Sequence, residues 1–390
     1  MKARSQSSPG WRRPRVSDQA YAHATGRLRV IDAWRMGPQD FASFASEQAT
    51  TEQRHQILTA AGYPEGSRLE ERVLAGRRQI DCLLRELTRD GVLARGLLLE
   101  RDYHNLKVFM KALTAPVNTD GNGAAKGLEA LPQDLAELVM YDAPTPPARL
   151  YEQVRRQQER PGERSQDPEI PDWLARDVRQ LLAIRQRHPD PVTIDQTGDR
   201  LYFAALSRLV NDPETGTAAG FLGDYLTIRA DAANLQMLAR TRAAMSGAAY
   251  LRRIAVVGGT VGPEGLAKLY DADYEEVVAA YKKSLVPGLA RRALNYDSRH
   301  AIWGYNQAVD QALDLLAASG LHASFGPDAV GSFWLDRTLE ISSLRILIAG
   351  LEQGYAGEEL LSMLRPSDRL PTRVTTLDKN GDAEVGRLPG

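Results

Sequence analysis

A single cysteine, Cys82, stands in 390 residues, so no internal disulfide framework is available and a reducing compartment suits the chain. Its setting, IDCLLREL, is apolar at helical spacing, which predicts a packed thiol and not a nucleophile. No apolar run reaches the roughly 18 residues that span a bilayer; the best, LRILIAGL from Leu344, falls far short. Lysine is scarce, at 8 residues against 41 arginines, and the formal net charge is −1. That balance gives no global field to draw nucleic acid or anionic lipid, and the arginine excess reads as codon bias. The first residues, MKARSQSSPGWRRPRV, are basic and lack an apolar segment, so they make no secretory signal. Pro9, Gly10 and Pro14 spoil the amphipathic helix of a transit peptide.

Motifs of chemistry are also missing. GNGAAKG from Gly121 has neither the spacing of a phosphate loop nor a strand before it. The six histidines, His23, His55, His104, His188, His300 and His322, include no pair at ligand spacing. DKNGDAEVG from Asp378 mimics a calcium loop through Asp378, Asn380 and Asp382. It fails at the turn glycine, which is Ala383, and at the twelfth position, which is Pro389. No Gly-x-Ser-x-Gly elbow occurs. Asp195 and Asp199 lie one helical turn apart and could bind a metal, with His188 nearby. They are read instead as acids at a helix start, answering its dipole. The expectation is no catalytic residue, no metal and no cofactor.

What is present is helix. Ala, Leu, Arg, Glu and Gln dominate the periodic segments and β-branched residues are sparse. Helices are predicted at about 18–35, 38–47, 51–61, 67–88, 92–113, 126–141, 146–160, 171–188, 195–210, 219–245, 262–270, 273–284, 291–318, 327–352 and 356–364. Loops are read at APVNTDGNGAAKG after Leu113, at DAPTPP from Asp142, at QQERPGERSQDPEIP from Gln157 and at NDPETGTAAG from Asn211. Two short-helix pairs match, GPQDFASFASEQATTEQRHQILTAAGY and VGPEGLAKLYDADYEEVVAAYKKS. Each places a proline, Pro38 or Pro263, where the first helical residue needs no N–H.

Three stretches repeat one pattern: RDYHNLKVFMKAL from Arg101, RADAANLQMLARTR from Arg229 and LEISSLRILIAGLEQG from Leu339. An acid (Asp102, Asp231, Glu340) precedes by three places a small polar residue (Asn105, Asn234, Ser343), which shares its helix face. Lys107 and Arg345 follow in the first and third. A buried polar stripe must find partners on a neighbouring element, and that fixes register. A chain of this length exceeds what one core supports. The organisation expected is a basic leader over 1–17, a first lobe with a head over 18–145, a second over 146–255, a third with a head over 256–365, and a flexible tail over 366–390.

On these segments the chain resembles the C-type subunit, known as d in eukaryotes, of the rotary vacuolar and archaeal-type ATPases. YAHATGRLRVIDAWRMGPQDF is similar to that family's opening helix and first head, and DYHNLKVFMKAL to its Asp-x-x-Asn-Leu-Lys helix. IDQTGDRLYFAAL with FLGDYLTIRADAANLQMLARTR resembles its middle lobe. GGTVGPEGLAKL and FGPDAVGSFWLDRTLEISSLRILIAGLEQG resemble its last. The likeness runs from about residue 18 to 365. It departs at Ser343, where the family usually has Asn, and at Phe333-Trp334, which replaces a tyrosine region.

The resemblance implies an all-α, funnel-shaped body of three related helical bundles in pseudo-threefold arrangement around a central cavity. It implies a non-catalytic rotor adaptor, one copy per complex, on the cytoplasmic face of the membrane. Its partners would be the central-shaft subunits of D and F type and the membrane rotor ring, with no nucleic acid and no cofactor. The rival readings are a stand-alone helical scaffold of another assembly and a metal-dependent hydrolase built on Asp195 and Asp199.

Overall fold

The structure, a computed structural model, describes residues 21–32, 34–88, 91–113, 127–163, 167–286, 288–294, 299–321, 323, 326–368, 376–377 and 383–384. The leader 1–17, the loop 114–126, His322 and most of the tail, including Asp378, Asn380 and Asp382, lie outside the described residues.

Helices account for about three quarters of it. In chain order they are α1 (Ala22–Asp32), α2 (Pro38–Ala45), α3 (Thr51–Ala60), α4 (Leu69–Leu87), α5 (Val92–Ala112) and α6 (Gln133–Ala136). Then come α7 (Pro147–Glu159), α8 (Asp172–Arg187), α9 (Pro191–Asn211), α10 (Ala218–Ala243), α11 (Ala248–Ile254) and α12 (Pro263–Lys268). The last are α13 (Tyr274–Ala280), α14 (Leu289–Leu294), α15 (Arg299–Leu321), α16 (Pro327–Glu352) and α17 (Gly357–Met363). The fold is all-α. A two-residue antiparallel pair, β1 (Thr376–Leu377) with β2 (Ala383–Glu384), sits in the tail.

Several expected helices change. The segment 126–141 yields only a 3-10 turn, Gly127–Ala130, and the single turn α6. Pro132 is the reason, because the residue before a proline avoids helical backbone. The stretch 291–318 appears as α14 and α15, with residues 295–298 between them not described. α11 was not anticipated; it is seven residues long and enters from Gly247 at φ 86°. α9 begins at Pro191, earlier than the predicted 195, because Asp190 caps it by accepting from Thr193 N–H at 2.7 Å.

The described residues group into two compact units. One runs from Asp81 to Phe333 with the residues up to Gly26; the other combines Arg27–Ile80 with the chain from Trp334 onward.

In the first unit α5 packs against α7, α8, α9 and α10. α5 buries side chains on all its faces, among them Leu93, Leu97, Leu98, Leu106, Phe109 and Met110, as a helix inside a core should. α7 and α8 are amphipathic and bury one stripe each, Leu150 with Val154 and Leu174 with Val178 and Leu181. Two glycines set close approaches. A Cβ on Gly96 would lie 2.8 Å from Leu222 of α10, and one on Gly198 of α9 would lie 2.5 Å from the Lys107 side chain.

In the second unit α2 packs against α3 and α17 and buries Phe41 and Phe44 completely. A Cβ on Gly357, the first residue of α17, would collide with the carbonyl oxygen of Ala45. The matched short-helix pairs form as expected: α2 with α3, and in the first unit α12 with α13. Pro38 and Pro263 open the first helix of each pair. The second helix of each starts in a capping box, Thr50 with Gln53 and Asp273 with Glu276.

Candidate functional site: carboxylate and amide clamps on three straps

The repeated polar pairs do one job in the first unit, and they do it twice. On α5, Asn105 donates from Nδ2 to the Met140 carbonyl at 2.8 Å and accepts the Met140 N–H on Oδ1 at 2.8 Å. One turn earlier, Asp102 accepts the Thr145 N–H at 2.9 Å and the Thr145 hydroxyl at 3.1 Å. Two residues beyond Thr145 the strap becomes α7, beginning at Pro147.

α10 repeats the arrangement. Asn234 donates to the Val256 carbonyl at 3.0 Å and accepts the Val256 N–H at 2.9 Å. Asp231 accepts the Thr260 N–H and hydroxyl, each at 2.6 Å, and a third bond from Ser284. That strap becomes α12 at Pro263. Each amide thus meets both polar groups of one strap residue, and the acid one turn away holds a threonine further along.

The third pair, in the second unit, departs from this pattern. Glu340 of α16 accepts the Met36 N–H at 3.2 Å and the Tyr63 hydroxyl at 2.7 Å, and it is paired with Arg337 at 2.7 Å. Met36 stands two residues before Pro38, where α2 begins. Ser343 does not touch that strap; its hydroxyl donates to Asp368 at 2.6 Å. Asp368 also holds Arg365, which reaches Asp336, and Asp336 pairs with Arg35 at 3.0 Å. Where an Asn would meet backbone with a neutral amide, this chain substitutes a buried run of ion pairs.

Burial sets the electrostatics of all three acids. Asp102 is 1% exposed. Its carboxyl is pushed up to about 7 by loss of water, and the Thr145 bonds oppose that only in part. Asp231 is raised for the same reason against the Ser284 and Thr260 bonds. Glu340 is raised by burial although Arg337 favours its charge.

The other predicted residues are placed as follows. Lys107 pairs with Asp199 of α9 at 2.5 Å, and Lys111 with Asp195 at 2.7 Å. Asp195 and Asp199 therefore lie inside α9, not at its first turn, and lysines answer them in place of the helix dipole. Arg345 is exposed. His104 meets the Leu138 carbonyl at 2.8 Å. Cys82, expected in the core, is exposed on α4; α4 turns its buried face through Ile80, Asp81 and Leu84.

Sequence reasoning missed the strap residues Met140, Thr145, Val256, Thr260, Met36 and Tyr63. A signal was there: Thr145 and Thr260 each stand two or three places before a helix-opening proline. It also missed a buried knot in the first unit, where the Tyr103 hydroxyl donates to Asp177 and Arg208 pairs with the same carboxylate at 2.8 Å.

The model of the ATP synthase (C/AC39) subunit family matches residues 83–363. The chain belongs to that family. Its members are non-catalytic subunits of V/A-type rotary ATPases, and membership gives this chain a place among the other subunits of such a complex. The matched stretch holds α5, α10 and α16 with their polar pairs and the straps at Met140 and Val256. Met36 and Tyr63, which complete the third cluster, lie before it. No curated protein matches the chain.

The arrangement joins elements. The motif acids use their oxygens on backbone, hydroxyl and guanidinium donors. Among the described residues no three His, Cys, Asp or Glu gather as a metal site, and no helix is long and apolar enough to cross a membrane.

Proposed function

We propose that the chain is the rotor adaptor of a V/A-type ATPase, seated between the central shaft and the membrane rotor ring on the cytoplasmic side. In that position it carries torque, so that ATP turnover and ion movement proceed together. Family membership over residues 83–363 supports the reading. The observation that carries it further is the pair of matching clamps on α5 and α10, which tie long helices to the chain that follows them.

A part that transmits torque needs stiffness between its elements more than a pocket. Backbone held at two points by buried side chains resists sliding, because slipping by one residue would leave several buried polar groups without partners, each costing about 1–3 kcal/mol.

The test is recovery of partners. A tagged chain expressed in its own host at native level should bring down a small ring-forming membrane protein and the shaft subunits. Recovery of neither would overturn the proposal, and recovery of a different assembly would favour the scaffold reading.

A further inference from the structure

The three clamps follow a cyclic order along the chain. α5 holds a strap 35 and 43 residues ahead of its clamping residues. α10 holds one 22 and 29 residues ahead. α16 differs: Ser343 holds the side chain of Asp368, 25 residues ahead, while Glu340 reaches back 304 residues to Met36. In each case the strap runs within two or three residues into a helix that opens with proline. The strap at Met36 is thus the one that would follow α16 if the chain were joined end to end.

This closing clamp is also built differently. Strap one gives four bonds to its Asp and Asn from two residues, and strap two gives five from three, the fifth a longer one from Asn234 to the Val261 carbonyl. On the third strap the Met36 N–H bonds to Glu340 of α16. Its 3.2 Å compares with 2.9 Å and 2.6 Å for the equivalent N–H groups of Thr145 and Thr260. Ser343 is too short to meet both backbone groups of a residue and is engaged by Asp368. The remaining hold comes from side chains: Tyr63 on Glu340, Arg337 on the Ala61 carbonyl at 3.3 Å, and Arg35 on Asp336.

Opening the first or second clamp would free a loop between neighbouring helices. Opening the third would free the strap before α2 from α16, while α2 stays packed on α17.

From this we infer that Glu340, with Met36, Tyr63 and Arg337, forms a reversible latch that holds the strap before α2 to α16 and opens while the clamps on α5 and α10 stay shut. The inference is independent of the proposed role in a rotary complex, because it concerns the isolated chain.

Hydrogen exchange on the full-length protein, resolved to single amides by fragmentation, tests it. The Met36 amide should exchange at least tenfold faster than those of Thr145 and Thr260 after correction for intrinsic rates. Glu340→Gln should accelerate Met36 by a further tenfold or more and leave Thr145 and Thr260 within twofold. If that variant does not fold, Tyr63→Phe, which removes a single bond to Glu340, should shift Met36 alone in the same direction. Equal protection of the three amides in the parent protein would overturn the latch. So would a variant that leaves Met36 unchanged or accelerates all three together.

Discussion

The Asn105 side chain pairs with Met140 as one backbone segment pairs with another, donating to its carbonyl and accepting its N–H, each at 2.8 Å. Asn234 does the same to Val256 on a different helix. A side-chain amide carries one acceptor and one donor group at the spacing of a peptide unit. It therefore fixes where along the strap the helix takes hold, which a hydrophobic contact does not.

Replacing Asn105 or Asn234 by Leu should cost about 2–4 kcal/mol each, because two buried backbone groups lose their partners. Urea unfolding checks the magnitude. In the proposed complex the same variants should weaken the coupling of hydrolysis to transport while nucleotide binding is unchanged.

Asp102 sets a pH dependence whose sign follows from its burial. Its carboxyl lies near 7 in the folded chain, above its ordinary value near 4, so the folded state holds the proton more tightly. The stabilisation is complete in acid and is lost as pH rises from about 4 through about 7. Asp102→Asn keeps an acceptor for the Thr145 N–H and removes the titration. Its loss of stability between about pH 5 and pH 8 should be smaller than the parent's by roughly 2–4 kcal/mol, read from urea midpoints at both values.

Gly259 lies against the second clamp. A Cβ there would stand 2.5 Å from Asp231 Oδ1 and 3.2 Å from the Asp231 backbone nitrogen. Gly259→Ala should displace the strap and lower stability by about 1–3 kcal/mol. Faster exchange at the Thr260 amide is the local readout.

Asp195→Asn together with Asp199→Asn should change stability by about 1 kcal/mol or less, since both acids pair with lysines near the surface. Stoichiometric metal in the parent protein that disappears in this variant would revive the hydrolase reading.

The all-helical fold, the two short-helix pairs and the three acid-led segments were legible in the chain because each repeats a local pattern. Asp102, Asn105, Asp231 and Asn234 stood out as a buried stripe awaiting partners. The partners did not, since Met140 and Val256 take part only through their backbones, and side-chain identity leaves no mark there. Cys82 was misjudged because IDCLLREL is apolar on both sides of the helix, and spacing alone does not say which side faces solvent. Nor does any local pattern at Met36 or Tyr63 announce Glu340, which pairs with them across 304 and 277 residues of chain.

That last distance has a consequence during synthesis. At about 5–20 residues per second, a ribosome makes Glu340 roughly 15–60 s after Met36, a separation of 304 residues. For that interval Tyr63 and the Met36 amide are without the carboxylate they bond in the folded chain. A segment made late thus completes the packing of one made 304 residues earlier.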